Sequence, residues 1–497
     1  MSSRRSFLGK LAVLPLIPAL ESEGADTPSV NVPKNEYVIE AGCALLEKGN
    51  DLQVVNNVSI LIKKDKIEKI VVGTINGNYK RVNAKGDFVL PGFISGHSHA
   101  MSGPVVKGLL DTGRSYRPPE KLMEDCSDDD LEAIAALCLA ELLTTGCTTI
   151  LDQSLSLKQM KAMVKVAEKW GVRLYPGAMT PSMNRVFELW NLKTDQALFD
   201  SVPATLKEIE DNLAYSLSIL NKNNGRIIPM TSPHGTDTNT PETLIALKKA
   251  ADKLGTGFHM HLAQSNAEKD MTKRLWGKEP LQWLESLGYL EAPFFAAHMI
   301  AMNWETDPAI LKKYGAVITL CPLIGSPGRS MQALTETKAA GIALNLGIDS
   351  PINNYLETLR MAVVLEKTKL KYFKNDKMQG QTFTMLEAID CATRIPAKGL
   401  RRPDLGVIKE GAKADLISVN LSNPPVGPGI MPPDPLSSML YTNSASVKLT
   451  ITDGIIQMMD GVFLLDDLKK VSLKAGKAVE KIWAKLKAQG YFETTPQ

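Results

Sequence analysis

A chain of 497 residues is long enough for about two or three domains, or for one large barrel with an appendage. Its 44% hydrophobic and 22% charged residues are ordinary for a soluble globular enzyme. A net charge of +3 is too small to point to nucleic acid or an anionic membrane surface as partner.

The chain opens with Arg4-Arg5, Phe7-Leu8 and Lys10, then a short apolar run to Leu20. This pattern resembles a twin-arginine export signal. It predicts a signal over 1–25, a linker over 26–35 and a periplasmic location. The alternative is a basic tail on a cytoplasmic protein. The apolar run is too short to span a bilayer, so no membrane span is expected.

Residues 36–90 alternate apolar and polar side chains between turn clusters, as in "DLQVVNNVSILIKKDKIEKIVVG", and predict the first part of a small β-sandwich. From Pro91 the rhythm changes. Strand-like runs ("GFISGHSH", "CTTILDQ", "VRLYPGAM", "RIIPMTSPH", "GTGFHMHLAQ", "PFFAAHMIA", "AVITLCP", "IALNLGIDS") alternate with helical segments. Several of those segments begin at Asp, Ser or Thr and end at Gly, as helix boundaries do. Eight such alternations predict an α/β fold, a TIM-like (β/α)8 barrel over 91–404. An open doubly wound sheet is the rival, but no G-x-G-x-x-G accompanies the strands. Residues 405–470 return to strands that are expected to pair with the N-terminal ones and complete the sandwich, and 471–497 read as an amphipathic helix and tail. The six cysteines lie far apart without a CxxC pair and read as core thiols.

The six histidines sort by barrel strand. His97 and His99 end the first, His234 the fourth, His259 and His261 the fifth, and His298 the sixth, while Asp349 follows the eighth. The C-terminal strand ends of such a barrel form one rim where reactive groups gather. Residues i and i+2 of a strand face the same side, so His97 and His99 can grip one ion with His261 and Asp349. Imidazoles plus a carboxylate suit Zn²⁺ or a similar divalent ion. His259 shares the face of His261 one layer deeper, and its role stays open between ligand and structural residue.

"PGFISGHSHA", "SPHGTDT", "HMHLAQSNAE", "AAHMIAMN", "LGIDSPINN" and "GVIKEGAKADLISVNL", in this order between Tyr37 and Asp466, together resemble the amidohydrolase superfamily. The resemblance is strongest to its branch of triazine hydrolases, guanine deaminase and adenosylhomocysteine-type deaminases. It implies one divalent metal ion, Zn²⁺ or else Fe²⁺, held by His97, His99, His261 and Asp349. It implies that His298 contacts the attacking water or the substrate and that His234 contacts the substrate. The lysine that bridges two metals in binuclear members is missing from "IIPMTSPHG", which implies a single ion.

One position departs from the branch. Its deaminases carry Glu after His-Leu-Ala, where it shuttles protons to a ring nitrogen, and this chain carries Gln264. An amide cannot serve as a general acid. Glu268 lies too far along the next helix to replace it. The preferred expectation is therefore a metal-dependent hydrolase of a non-peptide C–N bond in an amide, urea or carbamate-like small molecule. In it Asp349 accepts the proton of the attacking water, His298 stabilises the developing oxyanion, and Gln264 orients the substrate. The alternative is an aminohydrolase of a purine, pterin or triazine-like heterocycle, and the third reading is an inactive metal- or solute-binding protein. The loops "AMSGPVVKGLLDTGRSYRPPEK" and "TPSMNRVFELWN" are expected to cover the site with Met, Phe and Trp. Arg114, Arg117 and Arg185 read as solvated surface. A homo-oligomer is compatible with all of these readings.

Overall fold

The computed structural model describes residues 32–109, 112–291, 293–325, 333–372 and 380–493. The expected signal over 1–25 lies outside them.

Four strands open the described chain: β1 (Glu36–Lys48), β2 (Asp51–Lys63), β3 (Lys66–Val72) and β4 (Lys80–Pro91). The barrel strands follow as β5 (Phe93–Ser95), β6 (Cys147–Ser154), β7 (Arg173–Thr180), β8 (Ser232–Pro233), β9 (Phe258–Leu262), β10 (Phe294–His298), β11 (Val317–Leu320) and β12 (Ala343–Leu346). The chain then returns to the small domain with β13 (Leu416–Asn420), β14 (Val447–Thr452), β15 (Ile455–Met459) and β16 (Val462–Phe463).

The strands β5 to β8 and β9 to β12 form two parallel runs of four. Two parallel bridges, Thr231 with Phe258 and Ser98 with Asp349, join the runs edge to edge. The barrel therefore closes, and closure leaves no strand edge unpaired. Every residue of β6 is buried, as expected for a strand covered on both faces. The outer helices obey their sequence signals. Ser127 accepts a hydrogen bond from the Asp130 N–H to cap Asp128–Thr144, and Ser156 accepts from the Gln159 N–H to cap Leu157–Trp170. That second helix stops at Gly171, whose φ of +70° only glycine adopts at no steric cost.

The strands of the small domain run as one continuous eight-stranded sheet, in the order β16-β15-β14-β13-β4-β1-β2-β3. Antiparallel pairing of β4 with β13 joins the N- and C-terminal parts of the expected sandwich. A buried ion cluster ties this sheet to the barrel. The Arg173 guanidinium, at the start of β7, donates Nε–H and Nη2–H to the two Asp415 oxygens at 3.1 Å each, and also reaches Asp453. Arg226 Nη1 lies 3.3 Å from the other Asp453 oxygen.

The C-terminal helix begins slightly before the expected 471, at Leu468, and runs to Ala488. It buries Val471, Ala475, Ala478, Val479, Ile482 and Leu486. Its Trp483 donates Nε1–H to the Val105 carbonyl at 3.0 Å, which pins the loop that follows the first barrel strand. The six cysteines are buried and unpaired. Among the described residues no helix is long and apolar enough to cross a membrane.

Candidate active site

The rim of the barrel is built by tight turns at strand ends. A Cβ on Gly96 would lie 2.0 Å from Asn345 Oδ1 and 2.6 Å from Thr319 Oγ1, so the chain entering His97 passes where only glycine fits. Ala263, His298 and Asp349, each just past or at the end of its strand, hold φ values of +46°, +79° and +58°. Left-handed backbone at a non-glycine residue costs on the order of 1–3 kcal/mol and persists only where the surroundings enforce it. Here it turns the His298 and Asp349 side chains toward the barrel axis.

These turns bring the predicted residues together. The ligand-capable atoms of His97, His99 and Asp349 lie within 4.8 Å of one another, and so do those of His97, His261 and His298. The Asp349 carboxylate oxygens are 3.9 Å from His99 Nε2 and 3.7 Å from His298 Nε2. The His261 and His298 rings stack at 5.3 Å with 6° between their planes.

Hydrogen bonds fix the two outer imidazoles. His99 Nδ1 meets the Gln153 carbonyl at 2.7 Å and His261 Nδ1 meets the His234 carbonyl at 2.9 Å. A carbonyl only accepts, so both Nδ1 atoms carry the proton and both Nε2 atoms keep a lone pair. Among the described residues, neither ring nitrogen of fully buried His97 has a hydrogen-bond partner. Burial first, and the neighbouring imidazoles after it, hold His97 and His261 well below the usual histidine range. A buried, neutral nitrogen without a partner is costly unless something electrophilic meets it, so this donor set fits a divalent ion.

The cavity above the cluster is lined by His99, His234, His261, His298, Asp349, Gln264, Glu120, Tyr116, Met183 and Trp190, with Ile324 and Ser350. Met183 and Trp190 come from the loop expected to cover the site. His234 packs edge-on to Trp190 at 5.4 Å, and burial, with His99 and His298 adding, lowers its pKa to about 3. The arginines stay outside this lining. Arg117 lies over the Trp190 ring, 4.7 Å from its centroid, Arg185 pairs with Glu208 at 3.3 Å, and Arg114 donates to the Phe492 carbonyl.

His259 does not line the cavity. It sits a layer below, its ring centroid 6.3 Å from that of His97 and its Nε2 3.3 Å from Ser232 Oγ. Glu268 also lies behind the cavity wall. It accepts from the Gln264 N–H at 2.7 Å and from the Thr236 N–H and hydroxyl at 3.2 and 2.6 Å, tying the fourth and fifth strand ends together.

Two residues at the site escape sequence reasoning. Cys321 brings its Sγ within 4.8 Å of ligand atoms of His298 and Asp349. Its signal was a cysteine directly after the seventh barrel strand, in "ITLCP". Glu120 reaches the cavity from the short helix Arg117–Met123, where no local pattern separates it from the other acidic residues nearby.

The amidohydrolase family model matches residues 88–456. The chain is 28% identical over 410 residues to a 5-methylthioadenosine/S-adenosylhomocysteine deaminase of Desulfitobacterium hafniense, covering 80% of this chain and 86% of that one. Its fold matches a triazine hydrolase variant with a TM-score of 0.76 at 20% identity, covering 90% of this chain and all of the other. It also matches a zinc-bound adenosine deaminase from Xanthomonas campestris with a TM-score of 0.73 at 17% identity, covering 90% and 99%. With that family model spanning the barrel and strands β13 and β14 of the small sheet, the chain belongs to the amidohydrolase family.

Proposed function

We propose that this protein is a zinc-dependent aminohydrolase that releases ammonia from an aminated nitrogen heterocycle of the adenosine, guanine or triazine type. The observation that carries the reading is the cavity wall. Tyr116 and Trp190 line the same space as the His/Asp cluster, and such faces suit a planar ring. An aliphatic amide, urea or carbamate has no ring to lay against them. The preference for amide-type hydrolysis, drawn from Gln264 alone, gives way to deamination, which also agrees with the relatives named as adenosine-type deaminases.

His97, His99, His261 and Asp349 would hold one ion. Bound there, zinc lowers the pKa of water toward neutrality and polarises the carbon under attack. The remaining chemistry belongs to the side chains. Asp349 accepts a proton from the attacking water, and one of its oxygens faces His298 Nε2 at 3.7 Å. His298 hydrogen-bonds the incoming oxygen. His234, beside Trp190, holds the ring edge, and the Gln264 amide offers both a donor and an acceptor to ring heteroatoms.

The test is a substrate panel on the zinc-loaded enzyme, with ammonia measured. Purine nucleosides, guanine, pterins and aminotriazines are expected to yield ammonia. Turnover confined to amides, ureas or carbamates would restore the amide-type reading. Tight ligand binding without any turnover would favour the binding-protein reading.

We also propose that residues 1–25 direct twin-arginine export to the periplasm, which suits an enzyme that loads its metal before translocation. Arg4→Lys with Arg5→Lys is expected to trap the precursor in the cytoplasm. A wild type found cytoplasmic and uncut by fractionation would refute the signal.

A further inference from the structure

Deamination of a ring needs a proton on the ring nitrogen beside the carbon under attack, and position 264 supplies only an amide. We propose that Glu120 is the proton donor of this site, standing in from the opposite wall for the carboxyl that the fifth strand lacks. The inference rests on the deaminase reading for its substrate and on the geometry of Glu120 for the residue.

Glu120 is 3% exposed and lines the cavity together with Gln264, His298 and Asp349. Its Oε2 is buried and has no hydrogen-bond partner among the described residues. No cation pairs with it there. Among the other carboxylates near the site, Asp237 also keeps a buried oxygen without a hydrogen-bond partner but lies outside the cavity lining, whereas Glu268 and Glu124 are engaged. Glu268 uses both oxygens on N–H and O–H donors, and Glu124, on the same loop as Glu120, accepts from Ser156 and Gln159 at 2.7 and 2.8 Å. A glutamate serving structure alone would be satisfied in the same way. An unpaired buried carboxyl avoids the cost of a desolvated charge by keeping its proton. Burial pushes Glu120 up to about 8, the Ser102 hydroxyl pulls the other way, and the Asp349 charge adds to the rise. A neutral carboxyl beside a reacting ring is a general acid.

The step balances as follows. Glu120 gives its proton to the ring nitrogen as the water oxygen bonds to the neighbouring carbon and the C=N pair moves onto that nitrogen. One proton of the water passes through Asp349 to the amino group, and the C–N bond breaks to release ammonia. The second leaves the new hydroxyl as the carbonyl forms and restores Glu120. The ring nitrogen keeps the proton that Glu120 supplied.

The experiment compares full-length, zinc-loaded wild type with Glu120→Gln and Glu120→Asp on the best aminated heterocycle of the panel. Glu120→Gln is expected to lower kcat by about 10²- to 10⁴-fold with KM and zinc content little changed. Glu120→Asp should keep part of the rate. Adding Gln264→Glu to Glu120→Gln should recover at least about tenfold, by returning an acid to the fifth strand. A readout independent of turnover is the infrared carboxylic-acid C=O band at neutral pH, expected in the wild type and lost in Glu120→Gln. An active wild type whose Glu120→Gln variant is equally fast, or a wild type without that band, overturns the assignment. A wild type that deaminates nothing but retains the band overturns the deaminase reading and sustains Glu120 as the site's protonated acid.

Discussion

His99 Nε2 and His261 Nε2 stand 3.0 Å apart, and each ring is turned to that point by a carbonyl holding its Nδ1–H. Two lone pairs facing each other repel unless a cation lies between or beside them. The zinc-loaded protein is therefore expected to hold close to one ion per chain by elemental analysis. His97→Ala or His99→Ala should abolish metal content and activity with the circular dichroism unchanged. Two ions per chain, or full metal retention in either variant, would mean a different ligand set.

Gln264 lines the cavity, while its backbone N–H is fixed by Glu268. Its side chain is thus free to orient substrate without holding the strand end. Gln264→Ala should raise KM more than it lowers kcat, because a contact made mainly in the ground state is lost. A kcat loss equal to that of Glu120→Gln would assign Gln264 to the chemical step instead.

His259 gives a pH-dependent signature. Burial, with His99 adding, lowers its pKa from 6.5 to about 3. As pH falls through this window the unfolded chain takes up the proton first, so His259 progressively favours unfolding, and its contribution is fully recovered only above 6.5. His259→Gln should therefore gain on the wild type by more than about 1 kcal/mol between about pH 7.5 and pH 4.5 in metal-free denaturant titrations. A pH-independent difference would show that His259 titrates normally.

Asp415 neutralises buried Arg173 between barrel and sheet. Asp415→Ala leaves that guanidinium short of a partner and should destabilise the protein by about 3–5 kcal/mol, read as a lower denaturant midpoint. Replacing Arg173 and Asp415 together by apolar residues should cost less than the single change. An additive double variant would deny the coupling.

Much of this protein is local enough to be read from its sequence. Strand and helix periods alternate eight times, so the barrel is visible in the text. The i, i+2 spacing of His97 and His99 puts both on one face whatever the rest of the chain does. Gln264 likewise declares itself, because it follows His261 by three residues on the same strand end.

The rest depends on neighbours distant in the chain. Whether His259 reaches the rim or stays below it is decided by the layer its strand occupies in the closed barrel. Asp349 meets His99 only because the Ser98–Asp349 bridge closes the barrel and left-handed turns redirect the side chains. Glu120 is one of many acidic residues in the sequence. What sets it apart is an oxygen buried without a partner on a residue that also lines the cavity, and both are properties of the packed surroundings rather than of the residue. The sequence by itself determined the barrel, the histidine set and the missing acid at position 264. The tertiary structure decided which carboxyl faces the space that acid would have served, because desolvation and hydrogen-bond satisfaction exist only once the chain has closed around them.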